Sequence, residues 1–476
     1  MNRKRMSAAL AVAALVALAP SALGGNPFSR STSTVGGNHT WDSDQIDIEN
    51  VTETGAGVYV AILDTGLVSN WQDYFPDARV AQELGTGFYQ NIDITVARNE
   101  CELTLTAKGA VRQTTFIGSR TSSHGTHTSS TVIGFNYDSN TDTAQGFSLP
   151  PIQVRGIAPN ATIIPVKVLA DYEIPARPKC TEIPAAEQAE QTINFGTDDM
   201  VAAGIDYVTS LAEGRLAGSR IVINMSLGDT VKAAVIEQAI DRAIAAGVIV
   251  VASAGNNGED GMGWPGAYPQ VISAGASGWT GEWLDDGASG NPPANGFRYR
   301  MFWLQDTNGG LTPPLFPDSG DVAEPGIDDV YVTDFSSREK AGQQLDVLAP
   351  GSWVRGPFAG FPGYNHLPYW SKGISDLVGA NPGNFFYVGG TSMAAPHVSA
   401  VAALILEKND SLTQAQVEAI LKGSTTPVSA GSAQVWDPFH VDADGNADPS
   451  FVTFSWGNDA TGSGLLQADA ALAATP

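Results

Sequence analysis

Basic residues are scarce in this chain. Lysine and arginine together number 25 among 476 residues, against 50 aspartates and glutamates, so the formal net charge at pH 7 is -25. A surface this acidic repels phosphate backbones and anionic lipid headgroups, which argues against nucleic acid or a membrane surface as a partner. The same charge favours solubility and leaves cation binding open.

Long apolar runs are absent after the first residues of the chain. Residues 1–25, MNRKRMSAALAVAALVALAPSALGG, combine a basic start, a short apolar run that Pro20 interrupts, and small residues up to Gly25. This pattern is typical of a secretory signal peptide, after whose removal no membrane association is expected. A membrane anchor is the alternative, but the interrupted run barely reaches the length that a bilayer requires. The polar stretch 26–54 is then an N-terminal extension.

Cysteine is scarce as well, since only Cys101 and Cys180 are present. In an exported chain such a pair most simply forms one disulfide. The bond would close a loop of roughly 80 residues and stabilise the fold by about 4 kcal/mol. Two free, buried thiols are the alternative.

Internal repeats and low-complexity linkers are also missing, while 43% hydrophobic residues suffice for a large core. Short β-branched runs that end at turns alternate with helical patterns. The predicted strands are residues 57–66, 161–170, 220–228, 248–256, 271–277 and 345–351. The predicted helices are residues 197–218, 231–247, 389–409 and 412–424, the last with Ser411 as its N-cap. This order predicts an α/β fold with a mostly parallel central sheet flanked by helices.

Long stretches without a clear pattern separate these elements. They are rich in glycine, proline, aspartate and aromatic residues, and they cover residues 81–120, 171–196, 279–332 and 352–384. Structureless segments of this length are usually functional or elaborate the surface. We therefore expect long loop insertions in the fold.

The segment GGTSMAAPHVSAVAALILEKN, residues 389–409, has an apolar second half and an unusual start. Val398, Leu404 and their apolar neighbours recur at helical spacing on a face broad enough to be buried all round, which predicts a central core helix. Ser392 lies near the start, where helix caps are found. It is therefore either a cap or a nucleophile at the positive end of the helix dipole.

A serine nucleophile needs a general base, an orienting carboxylate and oxyanion donors. Candidates lie at the carboxyl ends of the predicted strands, where doubly wound sheets bind their ligands. Asp64 ends the first strand, Asn256 ends the strand 248–256, and His124 precedes an apolar helix. Each alone has an ordinary explanation as a turn residue, a helix cap or a surface histidine. Together they supply every role that Ser392 requires.

Four motifs in the order Asp, His, Asn, Ser carry a family resemblance: VAILDTG, SHGTHTSS, ASAGNNG and GGTSMAAPHV. With these and their flanks, from about Gly55 to Leu472, the chain resembles a subtilisin-like serine protease of the subtilase family. The resemblance implies a three-layer subtilisin-like fold, with a peptidase catalytic domain over residues 55–476. The stretch 26–54 leaves little room for the folded pro-domain that exported members carry, so unaided folding, a folding partner and an internal start all remain open.

The resemblance also implies roles for the candidate residues. Ser392 is the expected nucleophile, and His124 is the base that takes its proton and passes it to the leaving amine. Asp64 is expected to orient His124, while Asn256 and the Ser392 backbone N–H stabilise the oxyanion. Hydrolysis then proceeds through an acyl-enzyme intermediate and needs no cofactor.

Two further motifs imply how a substrate is held. The family strand that pairs with an extended peptide is matched by Ser226, Leu227 and Gly228. Gly263 matches a position in the primary specificity pocket, where a glycine leaves room for large apolar side chains before the cut. The nearby Glu259 and Asp260 favour a basic side chain instead, so both preferences stay open.

Calcium stabilises many subtilases, and one acidic run here has a suitable spacing. Oxygen-bearing side chains alternate at Asp442, Asp444, Asn446 and Asp448. A structural calcium ion is one interpretation, and a solvated acidic loop is the other, because the glycine is not where an EF-hand needs it. Asp77 also resembles one calcium-ligand position of the family.

These features together predict a secreted serine endopeptidase, extracellular or periplasmic, that acts as a monomer on polypeptide substrates. The insertions that carry Cys101 and Cys180 are expected to rim the cleft and narrow substrate choice. The alternative from another class is a non-catalytic binding protein on a subtilase scaffold, which is disfavoured because no catalytic position is substituted. An esterase is disfavoured by the peptide-pairing strand INMSLG.

Overall fold

The structure is a computed structural model, and it describes residues 33–37, 39–97, 101–119, 123–137, 152–180, 188–280, 283–284, 298–299, 329–358, 385–437, 440 and 450–476. Residues 1–25, predicted to be a signal peptide, and the acidic run 442–448 lie outside the described residues. Within the described ranges, no helix combines the length and the apolar character needed to cross a membrane.

Seven α-helices and nineteen strands are present in the described part of the chain. The helices are α1 (Trp41–Asp44), α2 (His124–Ile133), α3 (Asp198–Glu213), α4 (Ala234–Ala245), α5 (Thr391–Lys408), α6 (Gln414–Gly423) and α7 (Ala468–Ala474). The strands are β1 (Val58–Asp64), β2 (Thr86–Val96), β3 (Leu103–Thr114), β4 (Gly134–Tyr137), β5 (Ile152–Arg155), β6 (Thr162–Lys167), β7 (Ala170–Ile174), β8 (Gln191–Phe195), β9 (Arg220–Met225), β10 (Ile249–Ser253), β11 (Ile272–Trp279), β12 (Trp283–Leu284), β13 (Arg298–Tyr299), β14 (Val330–Val332), β15 (Val347–Pro350), β16 (Val354–Pro357), β17 (Phe385–Val388), β18 (Gly431–Asp437) and β19 (Ser450–Trp456).

A nine-stranded central sheet organises the molecule in the order β14-β11-β10-β9-β1-β6-β2-β3, with β15 also paired to β11. All pairs from β11 to β2 and the β11–β15 pair are parallel, whereas β14 and β3 run antiparallel to their neighbours. Parallel strands buried on both faces need apolar side chains in both directions, so their sequences read as continuous β-branched runs. The predicted α/β fold is confirmed.

Helices cover both faces of this sheet and make the fold three layers thick. Val60 and Ile62 of β1 belong to one core with α5, whereas Ala61 and Leu63 belong to another with α3 and α4. Successive side chains of a strand point to opposite faces, so β1 contributes to both cores. Residues 393–406 of α5 are all buried, which confirms the prediction of a central core helix.

Two helix starts differ from the sequence prediction. Gly390 is the N-cap of α5 and Ser392 is the second residue of the helix, so the interpretation of Ser392 as a cap is wrong. Helix α6 begins after Thr413, not after Ser411. Thr413 and Gln416 form a capping box. The Thr413 side chain accepts the backbone N–H of Gln416, and the Gln416 side chain accepts the backbone N–H of Thr413.

All four stretches predicted to be irregular contain strands, the longest of them in the first stretch. Strands β2 and β3 form a long antiparallel hairpin at the sheet edge, and β7 pairs with β8. Most side chains of β3 are exposed, and only its first residues, LTLTA, alternate between apolar and polar side chains. Cys101, between β2 and β3, is bonded to Cys180 with their Cα atoms 4.8 Å apart, which confirms the predicted disulfide.

The later part of the predicted N-terminal extension packs against the body of the protein. Trp41 in α1 is 1% exposed. Asp42, in the same helix, lies 3.0 Å from the buried imidazole of His397 in α5. The Glu407 carboxylate accepts the Thr54 N–H at 2.6 Å. Both contacts join this segment to the helix that carries Ser392.

Candidate active site

Asp64 and His124 meet at the carboxyl edge of the central sheet. Asp64 is the last residue of β1, and His124 is the first residue of α2. The His124 Nδ1 atom lies 2.8 Å from Asp64 Oδ1 and 2.9 Å from Oδ2. A Cβ atom on Gly125 would lie 2.4 Å from the Gly66 carbonyl oxygen, so glycine at this position is what lets α2 approach β1 so closely.

Neighbouring threonines fix the Asp64 carboxylate, and sequence reasoning did not single them out. The Thr65 N–H donates to Oδ1 at 2.6 Å, and the Thr128 hydroxyl reaches Oδ2 at 3.4 Å. The Thr65 hydroxyl in turn accepts the Gly125 N–H at 2.9 Å, which ties the start of α2 to the end of β1. Thr65 lies in the motif LDTG and Thr128 in the motif HGTHTSS, so these motifs could have indicated the contacts with Asp64.

The Asp64 carboxylate controls the protonation of His124. Burial lowers the pKa of the imidazole, but the charge of Asp64 and the hydrogen bond to it raise that pKa by more. The net shift is therefore upward from the ordinary value of 6.5. Because Nδ1 donates to the carboxylate, Nε2 is the nitrogen left to exchange a proton with another group.

Ser392 stands in the first turn of α5, and its hydroxyl donates to the Ser226 carbonyl oxygen at 3.2 Å. In return, the Ser226 hydroxyl donates to the Ser392 carbonyl oxygen at 2.7 Å. Among the described residues, no hydrogen bond joins Ser392 to His124 in this arrangement. Catalytic hydrogen bonds are commonly long or misaligned before substrate binds, so this rotamer alone does not exclude a reaction between the two side chains.

Asn256 follows β10 and is oriented by the residue before Ser392. Its Oδ1 atom accepts both the N–H and the hydroxyl of Thr391, each at 2.9 Å. The same Thr391 hydroxyl accepts the Gly255 N–H at 3.1 Å. These contacts leave the Asn256 Nδ2 donors and the Ser392 N–H without an acceptor among the described residues. Two unused donors therefore remain near the start of α5.

The segment after β9 has unpaired backbone groups beside this cluster. In the described part of the chain, Leu227 and Gly228 donate no backbone N–H to any acceptor. Asp229 then pairs with Trp264 in an antiparallel bridge, which brings Gly263 alongside. A Cβ atom on Gly263 would lie 3.3 Å from the Asp229 carbonyl oxygen, so a side chain there would narrow the space next to this segment.

The model of the subtilase family matches residues 55–435, a range that contains Asp64, His124, Asn256 and Ser392. The chain belongs to the subtilase family. The resemblance inferred from the four motifs is thereby confirmed.

Individual relatives of this subtilase differ in how much they share with it. Subtilisin E of Bacillus subtilis (strain 168) is 27% identical over 309 residues, which are 64% of this chain and 51% of that protein. Subtilisin Savinase of Lederbergia lenta is 24% identical over 394 residues, covering 82% of this chain and 91% of that protein. Among solved structures, Sphericase covers 90% of this chain and 97% of its own, with 21% identity and a TM-score of 0.47. The chain thus spans about half the length of several curated relatives that it matches, Subtilisin E among them.

The structure gives no position for the calcium ligands predicted in this subtilase. The residues Asp442, Asp444, Asn446 and Asp448 lie outside the described part of the chain. Within the described part, no three His, Cys, Asp or Glu side chains converge as metal ligands. Asp77, the other residue considered, is exposed in a short 3-10 turn.

Proposed function

We propose that this subtilase is a serine endopeptidase that cleaves peptide bonds through an acyl-enzyme intermediate. The observation that carries the proposal is the hydrogen-bonded Asp64–His124 pair at the same sheet edge as the start of the Ser392 helix. A base oriented by a buried carboxylate beside a serine at a helix N-terminus is what nucleophilic acyl transfer requires.

The reaction follows from the donors and acceptors on each side chain. Ser392 Oγ attacks the scissile carbonyl while His124 Nε2 takes its proton, and Asp64 stabilises the imidazolium that forms. The oxyanion accepts hydrogen bonds from Asn256 Nδ2 and the Ser392 N–H. Collapse breaks the C–N bond, and His124 returns its proton to the leaving amine. Water then repeats the sequence on the acyl-enzyme and frees Ser392.

Substrate binding prepares Ser392 for this reaction. An extended peptide that pairs with Ser226, Leu227 and Gly228 needs the carbonyl oxygens of this segment as acceptors. It competes with Ser392 for the Ser226 carbonyl, which holds the nucleophile in the free chain. Released from that contact, the Ser392 hydroxyl turns towards His124. The lack of a side chain at Gly263 supports acceptance of large apolar side chains before the cut, because a Cβ atom there would lie 3.3 Å from the Asp229 carbonyl oxygen and narrow the space.

The proposal also covers the location, the oligomeric state and the cofactors of the enzyme. We infer that residues 1–25 direct export, so that the mature chain works outside the cell as a monomer on polypeptide substrates. Catalysis uses the side chains named above without a cofactor. A calcium ion held by the oxygens of the 442–448 run would stabilise the fold and take no part in the chemistry.

A non-catalytic binding protein is the second candidate function. One observation favours it, namely that the Ser392 hydroxyl is bonded to Ser226 and not to His124. Such a protein would hold a peptide on residues 226–228 without cleaving it. The two functions differ in a single outcome, which is whether a bound polypeptide is cut.

Incubation of the purified chain with casein, followed by mass spectrometry of the peptides and of the chain itself, tests the proposal. We expect cleavage after large apolar residues, loss of cleavage in Ser392→Ala, and full cleavage in Ser411→Ala, which removes an exposed serine. Binding of casein without cleavage would support the second candidate. Cleavage that survives in Ser392→Ala would exclude Ser392 as the nucleophile.

A further inference from the structure

Pro396 removes one hydrogen bond from the first turns of α5. In an α-helix the N–H of each residue donates to the carbonyl four residues before it, and proline has no N–H to donate. Pro396 lies inside α5, so the carbonyl that loses its helical donor is that of Ser392. The peptide group that follows the nucleophile is therefore not fixed by the helix itself.

A buried hydroxyl from another element takes the place of this donor. The Ser226 hydroxyl donates to the Ser392 carbonyl oxygen at 2.7 Å. Ser226 directly follows β9, and its residue is 2% exposed. Ser226 is thus the donor to this carbonyl among the described residues.

Two further side chains fix the direction of that hydrogen bond. Asn224 Nδ2 donates to Ser226 Oγ at 3.0 Å, and the Ser399 hydroxyl donates to Asn224 Oδ1 at 2.9 Å. A serine hydroxyl has one proton, so Ser226, which accepts from Asn224, has its proton committed to Ser392. Asn224 and Ser399 are both 0% exposed. Ser399 is about two turns after Ser392 in the same helix. The hydrogen-bonded chain from Ser399 through Asn224 and Ser226 to Ser392, here called the relay, therefore begins and ends in α5 and passes through the end of β9.

We propose that Ser226, Asn224 and Ser399 are positioning residues for the nucleophile, an inference that rests on the proposed peptidase function. The relay sets the plane of the Ser392 carbonyl, and with it the direction of the nucleophile's side chain and N–H. Ser226 also opens the segment that pairs with substrate. One residue therefore holds the nucleophile and the peptide in a common register, and a misplacement of about 1 Å at such a site costs about 10²-fold in rate.

A double-mutant cycle between Ser226 and Pro396 tests this assignment. The rate of Ser392 phosphonylation by a fluorophosphonate is measured for the native chain, Ser226→Ala, Pro396→Ala and the double variant. Rates are expressed per active site, so that a loss of folded protein does not count. Ser226→Ala removes the hydroxyl donor from this carbonyl and is expected to slow labelling about tenfold. In the Pro396→Ala background the alanine N–H supplies the missing donor, so the same change is expected to cost little.

Further readouts separate positioning from a general loss of stability. For one peptide substrate, Ser226→Ala should lower kcat with little change in KM, and the acid limb of the pH profile should stay in place because Asp64 and His124 are untouched. The matched control is Thr209→Val in α3, which removes another buried hydroxyl that donates to a helix carbonyl, at 2.9 Å from Ile205. It should reduce stability without changing the rate per active site.

The outcomes distinguish this inference from the proposed function. Labelling of Ser392 in the native chain with an unchanged rate in Ser226→Ala would overturn the positioning role alone. Effects of Ser226→Ala and Pro396→Ala that simply add would overturn it as well, because the two changes would then not act on one carbonyl. Failure of the folded native chain to be labelled at all would overturn the peptidase function, and the positioning role with it.

Discussion

Replacement of Asp42 by alanine is expected to destabilise the fold because it strands a buried imidazole. His397 Nδ1 lies 2.8 Å from the Met393 carbonyl oxygen, and Nε2 lies 3.0 Å from Asp42 Oδ2. A carbonyl oxygen can only accept, so Nδ1 donates to Met393. The carboxylate also accepts, so a second proton lies between Nε2 and Asp42. Asp42 and His397 therefore form a buried hydrogen bond that joins α1 to the helix of Ser392.

The burial of the pair sets the size of the effect. The His397 side chain is 0% exposed and that of Asp42 is 7% exposed. Removal of one partner of a buried hydrogen bond leaves the other partner unsatisfied and typically costs about 1–3 kcal/mol, whereas apolar replacement of both partners costs far less. Asp42 Oδ1 has no partner among the described residues, so part of the burial cost is already present. We therefore expect Asp42→Ala to lower the free energy of unfolding by about 2 kcal/mol.

Urea unfolding followed by tryptophan fluorescence measures this change. Asp410→Ala is the matched control, because it removes an exposed carboxylate and should change stability by less than about 0.5 kcal/mol. Adding His397→Leu to Asp42→Ala should recover part of the loss, since no buried polar group is then stranded. Equal stability of Asp42→Ala and Asp410→Ala would show that the contact between Asp42 and His397 does not stabilise the fold.

Four more predictions address chemistry and stability. The pKa of His124 is raised above 6.5 and its neutral form is the base, so kcat/KM should rise with pH through a pKa above that value; an acid limb below 6.5 would contradict this. Asn256→Ala should lower kcat by about 10²-fold with little change in KM, a size taken from subtilisin and not worked out from this structure. Exchange of both Cys101 and Cys180 for serine should lower the free energy of unfolding by about 4 kcal/mol in urea titrations, and an unchanged midpoint would argue against this. A chelator should lower the melting temperature of the native chain but not of Asp444→Ala, and identical melting curves with and without chelator would exclude bound calcium.

Much of the fold could be predicted because buried parallel strands and the core helix have strong local patterns. The run 57–66 becomes β1 and ends at Asp64, and residues 393–406 are buried on every side. The hairpin of β2 and β3 was missed although Ile92, Ile94 and Val96 alternate with polar residues, because most of β3 is exposed and carries no such pattern. The start of α6 was misplaced although Thr413 and Gln416 have the spacing of a capping box.

Some residues of the site could be predicted from the sequence and others could not. Asp64, His124, Asn256 and Ser392 follow strands or begin helices, which is where sequence reasoning looks for ligand-binding groups. The contact of Ser226 with Ser392 could not be predicted, because it joins residues far apart in sequence through a hydroxyl and a backbone carbonyl. The contact of Asp42 with His397 could not be predicted either, because an aspartate in a polar N-terminal segment gives no indication that tertiary packing will bury it against a histidine.

The most direct test of the proposed mechanism is a crystal structure of the phosphonylated protein. We expect a covalent bond from Ser392 Oγ to phosphorus. We also expect a phosphoryl oxygen about 2.7–3.1 Å from both Asn256 Nδ2 and the Ser392 N–H, with His124 Nε2 facing Oγ. A phosphoryl oxygen turned away from Asn256, or an imidazole that cannot reach Oγ, would show that these side chains do not converge on one carbonyl.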